Sequence, residues 1–141
     1  TFRYKTLLYA GTWYYNIGQS ENLSDDIRMQ AYMFSVTLVD EYRLLSERDE
    51  ISLNHTIGSA YMKLCELSTD DEIKYYFNRK AEAEFERDFS NAGCVKNARK
   101  NAAKELVYVE QYCYDYIDAD VYINETKKSI LEKHKKYEEM L

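Results

Sequence analysis

The 141-residue chain contains no proline and only four glycines. β-Sandwiches, β-barrels and hairpin-rich folds need turn residues with special backbone angles every ~8–12 residues, so this scarcity excludes them. Three cysteines are too few for a disulfide scaffold, and 45% apolar residues are too many for a disordered chain. The sequence therefore predicts a single all-α domain.

Long apolar runs are missing as well. No stretch reaches the ~18 consecutive apolar residues of a membrane span, and the opening TFRYKTLLYAGTWYY lacks the ordered regions of a signal peptide. Cys65, Cys94 and Cys113 share no close spacing, so we expect reduced, mostly buried thiols in a cytoplasmic protein. Because the chain begins with Thr rather than Met, we expect it to be part of a longer protein.

Motifs for catalysis and cofactor binding are absent from the sequence. Neither His55 nor His134 follows a Glu by three residues, as a di-iron bundle requires, and no Cys or His pair has zinc-ligand spacing. GxxxxGK[ST], GxGxxG and GxSxG do not occur. We therefore expect no catalytic residues, no metal and no cofactor, and a chain that is not an enzyme.

Acidic residues outnumber basic residues by 25 to 19, which gives a net charge of −6. A chain of this charge is not attracted as a whole to DNA or to anionic lipid. The expected partner is therefore neither nucleic acid nor membrane.

Apolar residues recur with a helical period and divide the chain into five or six helices. Short polar side chains that cap helix starts occur at Ser24-Asp25-Asp26 and Ser68-Thr69-Asp70-Asp71, and glycines at 18 and 93 mark helix ends. The predicted helices span about 2–17, 26–45, 51–67, 71–89, 95–117 and 120–141. The predicted apolar stripes are Ile27, Ala31, Phe34, Leu38 and Tyr42 in the second helix and Ile73, Tyr76, Phe77, Ala81 and Phe85 in the fourth.

An internal repeat relates the first two helix pairs. Gly58 and Tyr61 stand 47 residues after Gly11 and Tyr14, and Ala103 takes the glycine position in a fainter third copy. A small residue at this point lets the second helix of each pair cross closely over the first. The repeat predicts three helix hairpins, at about 2–46, 50–91 and 95–141.

The repeat resembles a known family. The runs Ala10-Gly11-x-x-Tyr14-x-x-x-Gly18 and Ile57-Gly58-x-x-Tyr61, followed by DEIKYYFNRKAEAEFE, are similar to tetratricopeptide (TPR) repeats. The units here are longer, lack the Pro after the second helix and carry Glu72 at a small-residue position. The resemblance implies an antiparallel array of hairpins, and an adaptor that binds a protein or peptide in a groove lined by their first helices.

In that register, ten residues are expected to contact the partner. They are Lys5, Tyr15, Asn16, His55, Met62, Lys63, Asn97, Lys100, Lys104 and Tyr108. The groove positions include four lysines and no acid, so the expected partner is an acidic segment or a chain terminus.

Other interpretations of the same residues stay open. His55 also fits an ordinary helix-face histidine, and the lysines fit a solvated helix start. The ladder Tyr108, Tyr112, Tyr116 fits either core packing or a partner-binding surface. The whole chain also fits a regulatory or sensor domain that binds a small molecule or signalling peptide, or a bundle that associates with itself.

Overall fold

The computed structural model describes residues 4–47, 50–91 and 96–141. Within these ranges the chain forms six α-helices and one short 3₁₀ turn. They are α1 (Lys5–Gly18), α2 (Asp25–Ser46), α3 (Ile51–Leu67), α4 (Asp71–Asn91), α5 (Lys96–Tyr116), the turn Ala119–Val121 and α6 (Lys127–Glu138). Each helix packs mainly against the helices before and after it in the chain. The predicted all-α helix array is confirmed.

Two helices begin where the capping residues predict. Ser24 Oγ accepts a hydrogen bond from the amide of Ile27 at 3.4 Å, and Asp70 Oδ1 accepts one from the amide of Glu72 at 2.9 Å. Each bond satisfies an amide that has no partner within its own helix. The predicted end of α4 at Ala92-Gly93, and the thiol of Cys94, lie outside the described residues.

The last helix begins later than its predicted start near residue 120. Thr126 and Ser129 form a reciprocal capping box, in which each side chain accepts a hydrogen bond from the other residue's amide. The 3₁₀ turn Ala119–Val121 precedes this start and is held by Asp118, whose side chain accepts from the amide of Asp120 at 3.0 Å. The predicted break near residue 118 is confirmed.

Glycines bring the helices of the first two pairs close together. A methyl group on Gly11 of α1 would stand 2.6 Å from Cγ2 of Val39 in α2. In the second pair, a methyl group on Gly58 of α3 would stand 2.9 Å from the ring of Phe85 in α4. Carbon atoms that are not bonded to each other do not approach this closely, so a larger residue at either position would force the facing side chain or helix to shift.

The predicted α2 stripe is buried at Ala31 and Tyr42 but not at Ile27 and Phe34. Ile27 and Phe34 are about half exposed, whereas Tyr32 is completely buried. The Tyr32 ring occupies the space that Gly18 leaves, since a methyl group there would stand 2.8 Å from it. Periodicity indicated an apolar face, but the position of this glycine in α1 decides which face is buried.

The α4 stripe is confirmed at Phe77, Ala81 and Phe85, which are buried, and is wrong at its N-terminal end. Ile73 and Tyr76 are about half exposed, while Tyr75 and Asn78 are buried. Asn78 Nδ2 donates to the carbonyl of Val109 in α5 at 3.0 Å, so contacts with α5 turn this part of α4 inward. Such contacts join residues far apart in sequence and leave no trace in local periodicity.

Two of the three cysteines lie in the core. Cys65 in α3 and Cys113 in α5 are free thiols with no exposed surface. Burial raises the pKa of Cys65 to about 12 and also raises the pKa of Cys113. Over the described ranges, none of the helices is both long and apolar enough to cross a bilayer.

Candidate functional site

The predicted partner-binding residues are distributed over α1, α3 and α5. Eight of the ten have exposed side chains: Lys5, Asn16, His55, Lys63, Asn97, Lys100, Lys104 and Tyr108. Tyr15 is partly buried, and its ring meets the Tyr32 ring of α2 edge-on at a centroid distance of 5.7 Å. Most of the predicted residues are therefore accessible to a partner.

A cleft of about 640 Å³ lies between α3 and α5. His55 of α3 and Lys104 of α5, two predicted residues from different hairpins, both line it. The other lining residues are mostly polar: Ser52, Thr56, Asp88, Ala98, Asn101, Ala102 and Glu105. The structure thus brings the two predicted side chains to one concave surface with many hydrogen-bonding groups.

His55 is held in the cleft by two contacts. Its Nε2 atom lies 3.7 Å from Glu105 Oε1, and its ring meets the Phe85 ring edge-on at a centroid distance of 5.8 Å. The neighbouring carboxylate of Glu105 raises the pKa of His55 above its ordinary value, although partial burial opposes the shift. The imidazole therefore takes up a proton more readily than a free histidine does.

The prediction that the groove surface carries no acidic residue is wrong. Besides Glu105, the carboxylate of Glu66 lies on this face, 3.5 Å from the ammonium of Lys63, and it accepts a hydrogen bond from the Tyr108 hydroxyl. Glu66 follows Lys63 by three residues and so lies on the same side of α3. Glu66 is not one of the predicted groove positions, so the sequence register did not include its charge.

Lys100 and Lys104 keep their charge uncompensated. Within the described ranges, no carboxylate oxygen lies within 4.0 Å of either ammonium group. Both belong to the exposed face of α5, together with Asn97. The positive potential of the candidate site is therefore concentrated in the first half of α5.

Met62 is not available to a partner, contrary to its predicted role. Its side chain is 5% exposed, and its sulfur atom accepts a hydrogen bond from Asn78 Nδ2 of α4 at 3.6 Å. The side of α3 that carries Met62 packs against α4 and belongs to the core.

The tyrosine ladder of α5 lies at the surface. The ring centroids of Tyr108 and Tyr112 are 6.2 Å apart, and those of Tyr112 and Tyr116 are 4.9 Å apart. Tyr108 is 46% exposed and Tyr116 is 67% exposed. Lys74 of α4 fixes the middle ring by donating to the Tyr112 hydroxyl at 2.9 Å. Of the two interpretations of the ladder, core packing is excluded for its two ends.

A largely buried charge cluster joins α4, α5 and α6, and no local sequence pattern indicates it. Arg79 of α4 contacts Glu82 at 2.7 Å, Glu110 at 3.1 Å and Glu125 at 3.3 Å. Lys133 of α6 adds contacts to Glu82 at 3.4 Å and to Glu125 at 3.6 Å. Glu110 has no exposed surface, and the cluster ties the three helices together.

The pKa values of two carboxyl groups in this cluster shift in opposite directions. Burial and the neighbouring Glu82 raise the pKa of Glu110. Burial also disfavours ionised Glu82, but Glu110 and the charges of Arg79 and Lys133 outweigh it and lower its pKa. Glu110 therefore holds a proton to higher pH than Glu82 does.

A second cleft, of about 700 Å³, lies between α4 and residues 119–123. The stacked rings of Tyr75 and Tyr122, with centroids 5.2 Å apart, form part of its wall. The Tyr75 hydroxyl holds residues 119–123 in place, since it accepts from the amide of Ile123 at 3.2 Å and donates to Glu125 at 2.9 Å. The only sequence signal for this cleft is the Tyr75-Tyr76 pair.

Across the ranges that the structure describes, no group of three His, Cys, Asp or Glu side chains is placed to hold a metal ion. The chain matches no family model, and no curated protein and no solved structure is significantly similar to it. The fold class is an all-α helix array, and the resemblance to TPR repeats stays a prediction.

Proposed function

We propose that the chain is a non-catalytic protein-interaction module that binds a partner segment along α1, α3 and α5. The observation that supports this proposal best is the cleft in which His55 and Lys104 meet. Its volume of about 640 Å³ falls within the ~300–1,000 Å³ of clefts that take ligands and side chains. In this proposal, the helices are TPR-like and the groove lies on their first-helix side.

Charge determines which segment the groove prefers. Lys100 and Lys104 are uncompensated, whereas Lys63 and His55 each face a carboxylate. An acidic side chain or a C-terminal carboxylate of the partner therefore gains most at the start of α5. The amide of Asn101, which also lines the cleft, is placed to hydrogen-bond to the partner's backbone.

The tyrosine ladder extends the surface along α5. Tyr108 and Tyr116 present large rings with few rotatable bonds, and such rings give contact area at a low cost in conformational entropy. The partner then has an acidic part that meets Lys100 and Lys104 and an apolar part that meets the ladder.

A peptide selection tests this function. Random 12-residue peptides displayed on phage are selected on the immobilised chain, and enriched peptides are measured by fluorescence anisotropy. We expect the enriched peptides to be acidic and to lose at least about tenfold in affinity to the double variant Lys100→Glu/Lys104→Glu, because two favourable charge contacts become repulsive. Raising the salt concentration should weaken wild-type binding as well.

The matched control is Lys128→Glu/Lys135→Glu, which makes the same charge change on exposed positions of α6. This variant should bind the selected peptides with nearly unchanged affinity. Selection of no peptide, or equal loss in both double variants, would remove the groove from consideration as a binding site. Lys63→Glu should have a smaller effect than Lys100→Glu, because Glu66 already compensates Lys63.

A further inference from the structure

Helices α1 and α2 expose large apolar residues outside the cleft between α3 and α5. Tyr9 and Trp13 of α1 are 66% and 60% exposed, and Met33 and Phe34 of α2 are 44% and 53% exposed. Single exposed apolar residues are common on protein surfaces, but a continuous group of them marks an interaction site.

Ring contacts show that these residues form one surface. The Trp13 ring lies 5.2 Å from the Tyr14 ring, and Tyr14 lies 5.1 Å from Phe34. Tyr9 stands one helical turn before Trp13 on the same side of α1. The apolar surface therefore continues from α1 onto α2. We call it the aromatic face, and it consists of Tyr9, Trp13, Tyr14, Met33 and Phe34.

A depression of about 320 Å³ adjoins this aromatic face on α2. It is lined by Met29, Gln30, Met33, Phe34 and Thr37. Methionine side chains adapt to the shape of an inserted ring and make favourable contacts with it. The face thus carries a projecting indole on α1 and a depression lined by methionines on α2.

The charge distribution favours a second copy of this chain as the occupant. The chain carries a net charge of −6, so two copies repel each other when charged surfaces meet. Lys5 is the only charged residue of α1, and all five residues that line the depression are uncharged. On the aromatic face, two copies can meet without opposing charges of the same sign.

The exposed area of these residues supplies roughly half of what a dimer needs. An aromatic side chain offers ~150–250 Å² of surface, so the four exposed residues present on the order of 400–500 Å² per copy. With the residues around them, this approaches the ~800 Å² per partner of a stable interface.

We propose that two copies of the chain associate through the aromatic face in a two-fold symmetric dimer. The Trp13 ring of each copy enters the methionine-lined depression of the other, so the same contact forms twice. The interface borders the α1 end of the groove, where Asn16 stands one turn after Trp13, but the cleft between α3 and α5 is not part of it. The proposal therefore does not depend on the proposed function.

Sedimentation equilibrium of the 141-residue chain over a range of concentrations tests the dimer directly. We expect a concentration-dependent transition from monomer to dimer. Trp13 is the only tryptophan, and its emission should shift to shorter wavelength over the same concentrations as the indole leaves water. Wild-type protein that remains monomeric at millimolar concentration, as a face reserved for another protein would, overturns the proposal.

Met33→Glu is the informative variant, because it places a carboxylate in the depression that receives the Trp13 ring of the other copy. It should be monomeric with unchanged helix content by circular dichroism. Ile73→Glu of α4 changes a side chain of matched exposure, 45%, and should still dimerise. A dimer that persists in Met33→Glu, or is lost equally in both variants, shows that another surface is responsible. If Met33→Glu fails to fold, the Trp13 emission of the wild type still decides the question.

Discussion

The first and last parts of the helix array are held together by different interactions. In α1 and α2, a glycine lets the backbone of one helix approach the side chains of the other, as Gly11 does over Val39. In α4, α5 and α6, long charged side chains meet in a cluster around Arg79. The outer surface follows the same division, since α1 and α2 expose aromatic rings while α6 is rich in lysine and glutamate.

Helix crossings that are fixed by shape and those that are fixed by charge respond differently to changes in side-chain volume and in pH. Where shape fixes a helix crossing, one added carbon atom is enough to disturb the packing, and pH has no effect on it. A crossing fixed by charge tolerates changes of volume but depends on protonation and on every partner being present. Substitutions in the two regions should therefore differ both in size and in pH dependence.

The largest effect is expected from Arg79→Ala. The substitution leaves Glu82, Glu110 and Glu125 close together without their central cation. Removing one partner of a buried ion pair costs about 3–5 kcal/mol, so the free energy of unfolding measured in urea should fall by that amount at pH 7.

Arg87→Ala is the control for this change. Arg87 pairs with Glu84 at 3.5 Å on the same helix but is 43% exposed. Its replacement should cost less than about 1 kcal/mol. Similar losses in the two variants would mean that burial does not distinguish the Arg79 cluster from a surface ion pair.

A smaller effect, and one that depends on pH, is expected from Glu110→Gln. Burial and the Glu82 carboxyl raise the pKa of Glu110 from 4.5 to about 9. The folded chain keeps a proton that the unfolded chain releases, so this contribution to stability is complete below pH 4.5 and is lost as the pH rises towards 9. Glutamine resembles the protonated acid and cannot ionise.

Thermal unfolding at several pH values measures this difference. The variant should match the wild type near pH 5, and its advantage in free energy of unfolding should grow steadily as the pH rises towards 9. Glu132→Gln, at an exposed position of α6, should follow the wild-type pH curve. A Glu110→Gln curve parallel to the wild type would contradict protonation of Glu110 in the folded chain.

The smallest effect is expected from Gly11→Ala, which tests the region fixed by shape. The added methyl group meets Val39 Cγ2 at 2.6 Å, and overpacking of this kind costs about 1–3 kcal/mol. Alanine regains about 1 kcal/mol through its higher helix propensity, so we expect a net loss of about 1–2 kcal/mol in urea, with no change between pH 5 and 9.

Thr12→Ala is the matched control on the next, exposed position of α1. It should be neutral or slightly stabilising, because alanine is the better helix former and no packing changes. A Gly11→Ala variant as stable as Thr12→Ala would show that α1 and α2 can separate slightly without cost.

Much of the fold could be predicted because helix starts are local. Ser24 and Asp70 reach amides only two or three residues away, so their pattern is visible in sequence. The buried face of α2 could not be predicted, because Tyr32 is buried through Gly18 of another helix. The start of α6 was placed too early because the acids around residue 120 resemble a helix cap but form a 3₁₀ turn.

The candidate site divides in the same way. The lysines of α5 and His55 could be placed on one side of the array by register alone. The Arg79 cluster could not be found, because Arg79 meets Glu110 and Glu125 at separations of 31 and 46 residues along the chain. The register predicts Met62 at the groove, but groove and core positions are neighbours around the axis of α3, and Met62 lies on the core side.

The two buried thiols allow the rate at which the helix array opens to be measured by chemical labelling. Cys65 and Cys113 are fully enclosed and are held protonated by burial, so a thiol reagent can modify them only while α3 and α5 are separated. In a chain with Cys94 replaced by serine, the labelling rate then reports how often the centre of the array opens. Trp13, on the outer surface, does not report this event.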